Sequence, residues 1–431
     1  MTPAGHDLSA EPLPAERGPL RAGSALAPFR YPPFRAIWTA NLISSVGSVM
    51  QAVAAAWLMT ELTSRHLLVA LVQASSTIPI LLLGVIAGAI ADNHDRRLVM
   101  LWAQVFMLFV SAVLSVMGYA GVITPWSLLL LTLMVGMGTA LNGPAWQASV
   151  RMQVDRADLP QAISINAIAF NLARSLGPAL GGLVISLWSV NLAFAINAVS
   201  YLAMIVVLAR WHPAVTPPLR LPIGPAIMTG LRFCLTSGPI ARVLLRGAVF
   251  GFGAAGFQAL LPVVVRLQLH GHQVDYGLVV GAFGFGSVLA ALFVAKVRRR
   301  IGSENVVGIS TAVFVAAQVL LSSAHGVAPA MVAALIAGSG WVATMTSLNV
   351  AMQMRSPEAI LARCMSIYQA VSFGGMALGA WVWGALADRA GLVFSLRAAA
   401  LWLALTLVLR LIAPMPARAE GRIEEASNAP A

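Results

Sequence analysis

Long apolar runs separated by short polar breaks fill nearly the whole chain. Each run holds about 20 residues, enough at about 1.5 Å rise per residue for a helix to cross the roughly 30 Å hydrocarbon core of a bilayer. Twelve runs are read, at about 36–60, 66–91, 98–120, 124–148, 160–187, 190–209, 240–265, 273–296, 303–323, 327–352, 360–386 and 391–413. Helix is the expected state, because an open sheet in lipid would leave backbone groups unsatisfied at several kcal/mol each. Residues 1–35 and 414–431 are rich in Pro, Ala and charge and read as disordered tails; the first has no apolar stretch that could serve as a signal peptide.

Composition agrees with this pattern. The chain is 59% hydrophobic and 10% charged, with a mean hydropathy of +0.84, whereas soluble domains carry roughly a quarter charged residues. The net charge of +12 raises the possibility of a nucleic-acid partner, and its distribution removes it. With the N-terminus in the cytoplasm, 22 of the 27 Lys and Arg fall in cytoplasmic segments or at their helix ends. Arg65, Arg266, Arg389 and Arg397 fall at or near the outer face, and Arg174 falls within a helix. That asymmetry obeys the positive-inside rule and predicts both termini in the cytoplasm of a cell (inner) membrane protein. The two cysteines, Cys234 and Cys364, then lie on or near the cytoplasmic side, where no disulfide is expected.

The longest internal connection, 210–239, contains PAVTPPLRLPIGP and divides the helices into six-helix bundles at 36–209 and 240–413. Sliding the chain by 202 positions pairs Ser164 with Ser366, Gly177 with Gly379 and Gly182 with Gly384, and places Arg96-Arg97 on Arg298-Arg299. Parallel repeats of this kind predict a substrate cavity between the halves near mid-membrane.

Two motifs carry a resemblance. Gly88-Ala-Ile-Ala-Asp92-Asn-His-Asp95-Arg96-Arg97 resembles the loop signature of the major facilitator superfamily, and Gly177-Pro178-Ala-Leu-Gly181-Gly182 is similar to the motif of its exporters. Together with Asn171 and Arg174 they resemble the branch of enterobactin-type siderophore exporters and macrolide efflux proteins, over residues 34–413. The resemblance implies an all-α fold of twelve transmembrane helices in two repeats, working as a secondary transporter by alternating access. It also implies that Asp92 holds the halves together at the cytoplasmic face, opposite the start of helix 11 near residue 360. A carboxylate there meets the positive end of a helix dipole, worth about 0.3–1 kcal/mol when exposed. Asn93 stands where the family has arginine and Asp95 where it has glycine, while Val294 occupies the position that repeats Asp92, so an acid latch is one-sided.

Gly88, Asp92, Asp95, Arg96, Arg97, Gly177, Pro178, Gly181 and Gly182 are therefore the gating candidates. The helix-5 glycines permit close backbone approach, and Pro178 frees a carbonyl and can bend the helix. Arg174 falls roughly 20 Å along its helix, too deep for easy snorkelling. A cation there costs at least about 2.5 kcal/mol facing lipid, so it should face the cavity or a partner. No predicted helix carries a carboxylate at its middle. Its partner is then either an anionic substrate group or amides and carbonyls from Asn171, Asn166 or Gln369. Further cavity candidates are Asn41, Gln51, Asn142, Gln147, Gln258, Asn349 and Tyr368, with Trp57, Gln73 and Trp146. Interhelical hydrogen bonding competes with substrate contact at each of them.

The same lack of buried acids leaves proton coupling to peripheral groups such as Glu61, Asp92 and Asp388, or to the substrate's own charge. No phosphate-binding Gly-Lys loop, metal-ligand cluster or nucleophile triad is present, so enzyme chemistry, cofactors and direct ATP drive are not expected. The sequence thus predicts a monomeric transporter exporting a small organic molecule, anionic where the substrate is the partner of Arg174. Import or facilitated diffusion is the alternative, and a non-transporting receptor or scaffold is an alternative of another class.

Overall fold

The computed structural model describes residues 26–213, 223–357, 360–412 and 414; the side chains of Asp92 and Asn171, and most of the two expected tails, lie outside the described set. The helices are α1 (Pro32–Leu62), α2 (His66–Asn93), α3 (Arg96–Tyr119), α4 (Pro125–Ser149), α5 (Leu159–Leu187), α6 (Val190–Arg210), α7 (Ile223–Thr236), α8 (Gly238–Val263), α9 (Gln273–Ser322), α10 (Val327–Arg355), α11 (Leu361–Ala390), α12 (Leu392–Thr406) and α13 (Leu409–Ile412). Their ends follow local chemistry. Thr124 and Ser127 form a capping box on α4, Ser189 accepts from Leu192 N at the start of α6, and Asp95 accepts from Arg97 N at the start of α3.

Among the described residues, ten helices are long and apolar enough to cross a membrane, and the 15-residue α12 is a shorter apolar helix. The sequence separates 273–296 from 303–323, and the structure agrees: α9, 50 residues in all, is two helices that meet at Gly302. Straight, it would extend about 75 Å, more than twice the hydrocarbon thickness. Gly302 breaks it, with φ of +79°, a conformation L side chains rarely adopt. The region expected to be a plain linker contains α7, whose Cys234 is buried against Ile240, Val243 and Cys364.

The helices pack in two groups. In the first, α1 lies against α5 and α6, α3 against α4 and α6, and α2 against α4; in the second, α9 packs on α10, and α8 on α11 and α12. Between the groups, α2 meets α11 and α5 meets α9. Chain direction alternates, so one end of the molecule carries the basic connections at 93–96, 150–158 and 296–302, and the far end carries 63–65, 120–124 and 264–272.

Apolar burial is reinforced by a polar network inside the first group. Asn197 Nδ2 donates to Gln51 Oε1 at 2.7 Å and lies 3.2 Å from the Tyr201 hydroxyl, which is itself 3.2 Å from Ser48 Oγ. Such bonds pin α1 to α6 in surroundings where no water competes.

Candidate functional site

A cavity of about 310 Å³ lies between the two groups. α1 supplies Ser48, Val49, Ala52, Val53 and Ala56, α2 supplies Val69, Val72, Gln73 and Ser76, and α5 supplies Arg174 and Pro178. The other side is formed by Phe257, Gln258, Ala259, Leu261 and Pro262 of α8 and by Tyr276, Val280 and Phe283 of α9. The wall is mostly apolar with a few polar groups, as small-molecule sites usually are. Those polar groups include the guanidinium of Arg174 and the amides of Gln73 and Gln258, and among the described residues no carboxylate lines the cavity.

Arg174 makes no ion pair or hydrogen bond among the described residues; its guanidinium lies 5.7 Å from the centroid of the Phe170 ring, one turn earlier. Asn166, Phe170, Arg174 and Pro178 follow i, i+4 spacing and form one stripe on α5. Phe170 is 58% exposed, so the stripe leaves the cavity into accessible space toward the basic end. Asn166 is half-buried, and neither amide atom finds a partner among the described residues. Gln258 Nε2 is likewise buried and unpartnered.

The far end is closed by contacts between the groups. A methyl on Gly182 would sit 2.7 Å from Gly277 Cα and 2.9 Å from Gln273 O, and one on Gly277 would sit 2.9 Å from Pro178 O. Trp57 stacks on Tyr276 at 5.9 Å between centroids, donates from Nε1 to Glu61 Oε1 at 2.7 Å, and lies under the guanidinium of Arg266. Arg266 also donates to Thr60 Oγ1 at 3.0 Å, and Gln273 Nε2 to Glu61 Oε1 at 3.3 Å. The sequence placed Trp57 in the cavity, but Tyr276 and Gly277 carried no signal of their own.

The remaining candidates divide by position. Gly177 and Gly181 face α1, where added methyls would lie 2.8 Å from Val49 Cβ and 3.1 Å from Met50 Cα; among the helix-5 glycines it is Gly182 that faces the other group. Gly88 lies opposite Ser366 of α11, with an added methyl 3.5 Å from its Oγ. The basic residues beside it serve helix ends. Arg96 Nη1 donates to Ala148 O at 3.3 Å, at the end of α4, while Arg97 donates to Leu208 O at 2.7 Å and Ala209 O at 2.8 Å, at the end of α6. Together with the cap from Asp95 they tie α3, α4 and α6 within one group, using cations where helix dipoles are negative.

Of the polar candidates, Arg174 and Gln258 line the cavity, as does Gln73. Gln51 is occupied by Asn197, Asn349 accepts from Gln353 Nε2 at 2.6 Å, and the Tyr368 hydroxyl reaches Met345 O at 3.4 Å. Asn41, Asn142 and Gln369 are half-buried, and Gln147 is exposed, all outside the cavity wall. The ion pairs Arg246–Glu304 at 2.8 Å and Arg30–Asp158 at 2.7 Å, in which Arg246 and Asp158 are buried and Arg30 is exposed, lie near the basic face and carried no signal in the helix pattern.

This architecture has known counterparts. A nucleoside transporter structure aligns with a TM-score of 0.75 at 12% identity, covering 89% of this chain and all of that one. A POT family transporter aligns at 0.74 and 13% identity, covering 88% and 97%. By sequence, the enterobactin exporter of Citrobacter koseri is 26% identical over 83% of this chain and 85% of its own length. The staphyloferrin A transporter of Staphylococcus aureus is 26% identical over 60% of this chain, and the macrolide efflux protein A of Streptococcus pyogenes 21% identical over 60%. The matches span 66% and 65% of the lengths of those two relatives. The family model of the transmembrane secretion effectors matches residues 23–430, and the chain therefore belongs to that family of major facilitator superfamily membrane transporters.

Proposed function

We propose that the protein is a secondary active exporter of a small anionic organic molecule in the cell (inner) membrane, acting as a monomer. In this reading the chain crosses twelve times, with α9 counted as two spans about Gly302 and α12 as the last. Segments 36–209 and 240–413 move as the two halves, joined by 210–239 in the cytoplasm. The basic end is cytoplasmic, in keeping with the positive-inside rule. The cleft is then shut toward the outside and reached from the cytoplasm along the Asn166–Arg174 stripe, the state in which an exporter loads.

One observation carries the reading: a guanidinium in the cavity between the halves, without a carboxylate among the described residues to neutralise it. A half-buried cation left in this state favours an anionic ligand, because attraction grows as water is excluded. Siderophore and macrolide names among the relatives support small organic cargo. Asp92 is proposed to latch the cytoplasmic face against the start of α11, with Gly88 giving the close approach and Arg96 and Arg97 holding the loop.

The test uses matched anionic and neutral substrates in proteoliposomes. Arg174→Gln should weaken the anionic one by about 1.5–3 kcal/mol, the usual worth of a hydrogen bond to a charged group, or roughly ten- to a hundredfold. Arg174→Lys should restore part of that loss, since charge survives but the planar fork does not. Equal loss for both substrates would make Arg174 a strut.

A further inference from the structure

At the far end, the start of α2 is held by an acid from the other helix group. Asp388 Oδ1 accepts from His66 N at 2.6 Å and Oδ2 from Leu67 N at 3.2 Å, and Oδ1 also lies 3.2 Å from His66 Nδ1. These two amides belong to the first turn, where a helix has no internal acceptor for its N–H groups. Arg65, the residue preceding the helix, offers no side-chain cap. The side-chain caps on α3, α4 and α6 come from within their own group, whereas the cap on α2 comes from α11, in the opposite one. One turn before Asp388, a methyl on Gly384 would lie 2.7 Å from Ala70 Cβ and 3.0 Å from Leu67 Cα, so the helices touch closely there.

The sequence repeats this arrangement at the other end of the same helix pair. Gly384-Ala-Leu-Ala-Asp388 closes α11 with the pattern by which Gly88-Ala-Ile-Ala-Asp92 closes α2. The two helices run antiparallel, and each pattern sets its glycine against the first turns of the partner: Gly384 against Leu67 and Ala70, Gly88 against Ser366. The 202-residue repeat does not generate this match, since it pairs Gly384 with Gly182 and not with Gly88. It is a second, local relation between α2 and α11.

We infer that Asp388 is a positioning residue for transport: a far-end latch that must release the N-terminus of α2 before the cleft can open on that side. This rests on the alternating-access reading above. A carboxylate holding two amides at a positive helix end makes charge-assisted bonds that exist only while the far end is closed. Losing them therefore shifts the balance between the two states, and the cavity wall itself is untouched.

The test places one reactive thiol in the cavity, Ser76→Cys, with Cys234 and Cys364 replaced by alanine. Labelling by an impermeant maleimide from the far side then reports opening there. Asp388→Asn should raise the labelling rate about tenfold and lower labelling from the basic side, and Asp388→Glu should return both toward the parent. His66→Pro is the independent variant, since it deletes one amide donor at a helix position that proline favours. It should act in the same direction as Asp388→Asn. Parent-like rates in both Asp388→Asn and His66→Pro would overturn the latch while leaving alternating access intact. A thiol that no variant exposes to the far side would overturn both.

Discussion

Gly182 offers a sharp perturbation of the far-end closure. Replacing it with alanine puts a methyl 2.7 Å from Gly277 Cα and 2.9 Å from Gln273 O, both of them backbone atoms that cannot rotate away. Carbon atoms sit best at about 3.5–4.0 Å, so α5 and α9 must part by about 1 Å to admit it. Overpacking of this kind costs about 1–3 kcal/mol. Alanine also gains about 1 kcal/mol over glycine in a helix, but that gain is present whether the far end is closed or open. It cancels in the balance between states, which should shift by the full overpacking cost, roughly 5- to 150-fold toward far-end opening. Spin labels at Leu187→Cys on α5 and Leu278→Cys on α9, both exposed positions, make the shift visible by pulsed EPR in a background without Cys234 and Cys364. A longer-distance population should appear in Gly182→Ala with little loss of thermal stability. An unchanged distance distribution together with a lower melting temperature would show that the contact is ordinary packing and no moving closure.

Other consequences follow from the same contacts. Gln51→Leu should lower thermal stability by about 1–3 kcal/mol by leaving one of the two Asn197 Nδ2 hydrogens without its acceptor while the other keeps Tyr201, and should leave substrate affinity unchanged; a selective affinity loss would return Gln51 to the binding site. Arg97→Ala should destabilise the protein by a comparable amount through the freed carbonyls of Leu208 and Ala209, as a melting curve would register, whereas Asp92→Asn should slow turnover at little cost in stability. Burial, and then the neighbouring Cys364, push the Cys234 thiol up to about 12, so at pH 7 it should resist maleimide in the folded protein and react after denaturation. Topology is better read from the exposed sites Thr236→Cys and Leu267→Cys: in intact cells an impermeant reagent should reach the second and not the first, and the reverse would invert the orientation.

Much of the fold could be read from the sequence because spanning a bilayer demands long apolar helices, and their lengths show in the pattern alone. Arg174 was visible for a related reason, as a cation too deep to reach water. Gln51 shows where that reasoning stops. An amide in a membrane helix serves a cavity or a neighbouring helix equally well, and its partner Asn197 lies 146 positions away. The same limit hid Trp57 on Tyr276 and Asp388 on α2, since both are pairings across the two groups. Arg96 and Arg97 were legible as charge at a membrane edge, but their carbonyl partners at the ends of α4 and α6 depend on how helices assemble. The helix break at 297–302 was legible, but an isolated glycine does not reveal that its φ will be positive, as it is at Gly302.

The central claim is that the cleft around Arg174 carries a small organic molecule across the membrane without direct use of ATP. Counterflow in proteoliposomes tests it most directly, with a panel of siderophores and macrolides, with and without an imposed pH gradient. The account predicts saturable, ATP-independent movement of at least one anionic member, reduced about ten- to a hundredfold in apparent affinity by Arg174→Gln. Failure of every panel member to move, or movement that Arg174→Gln leaves untouched, would contradict it.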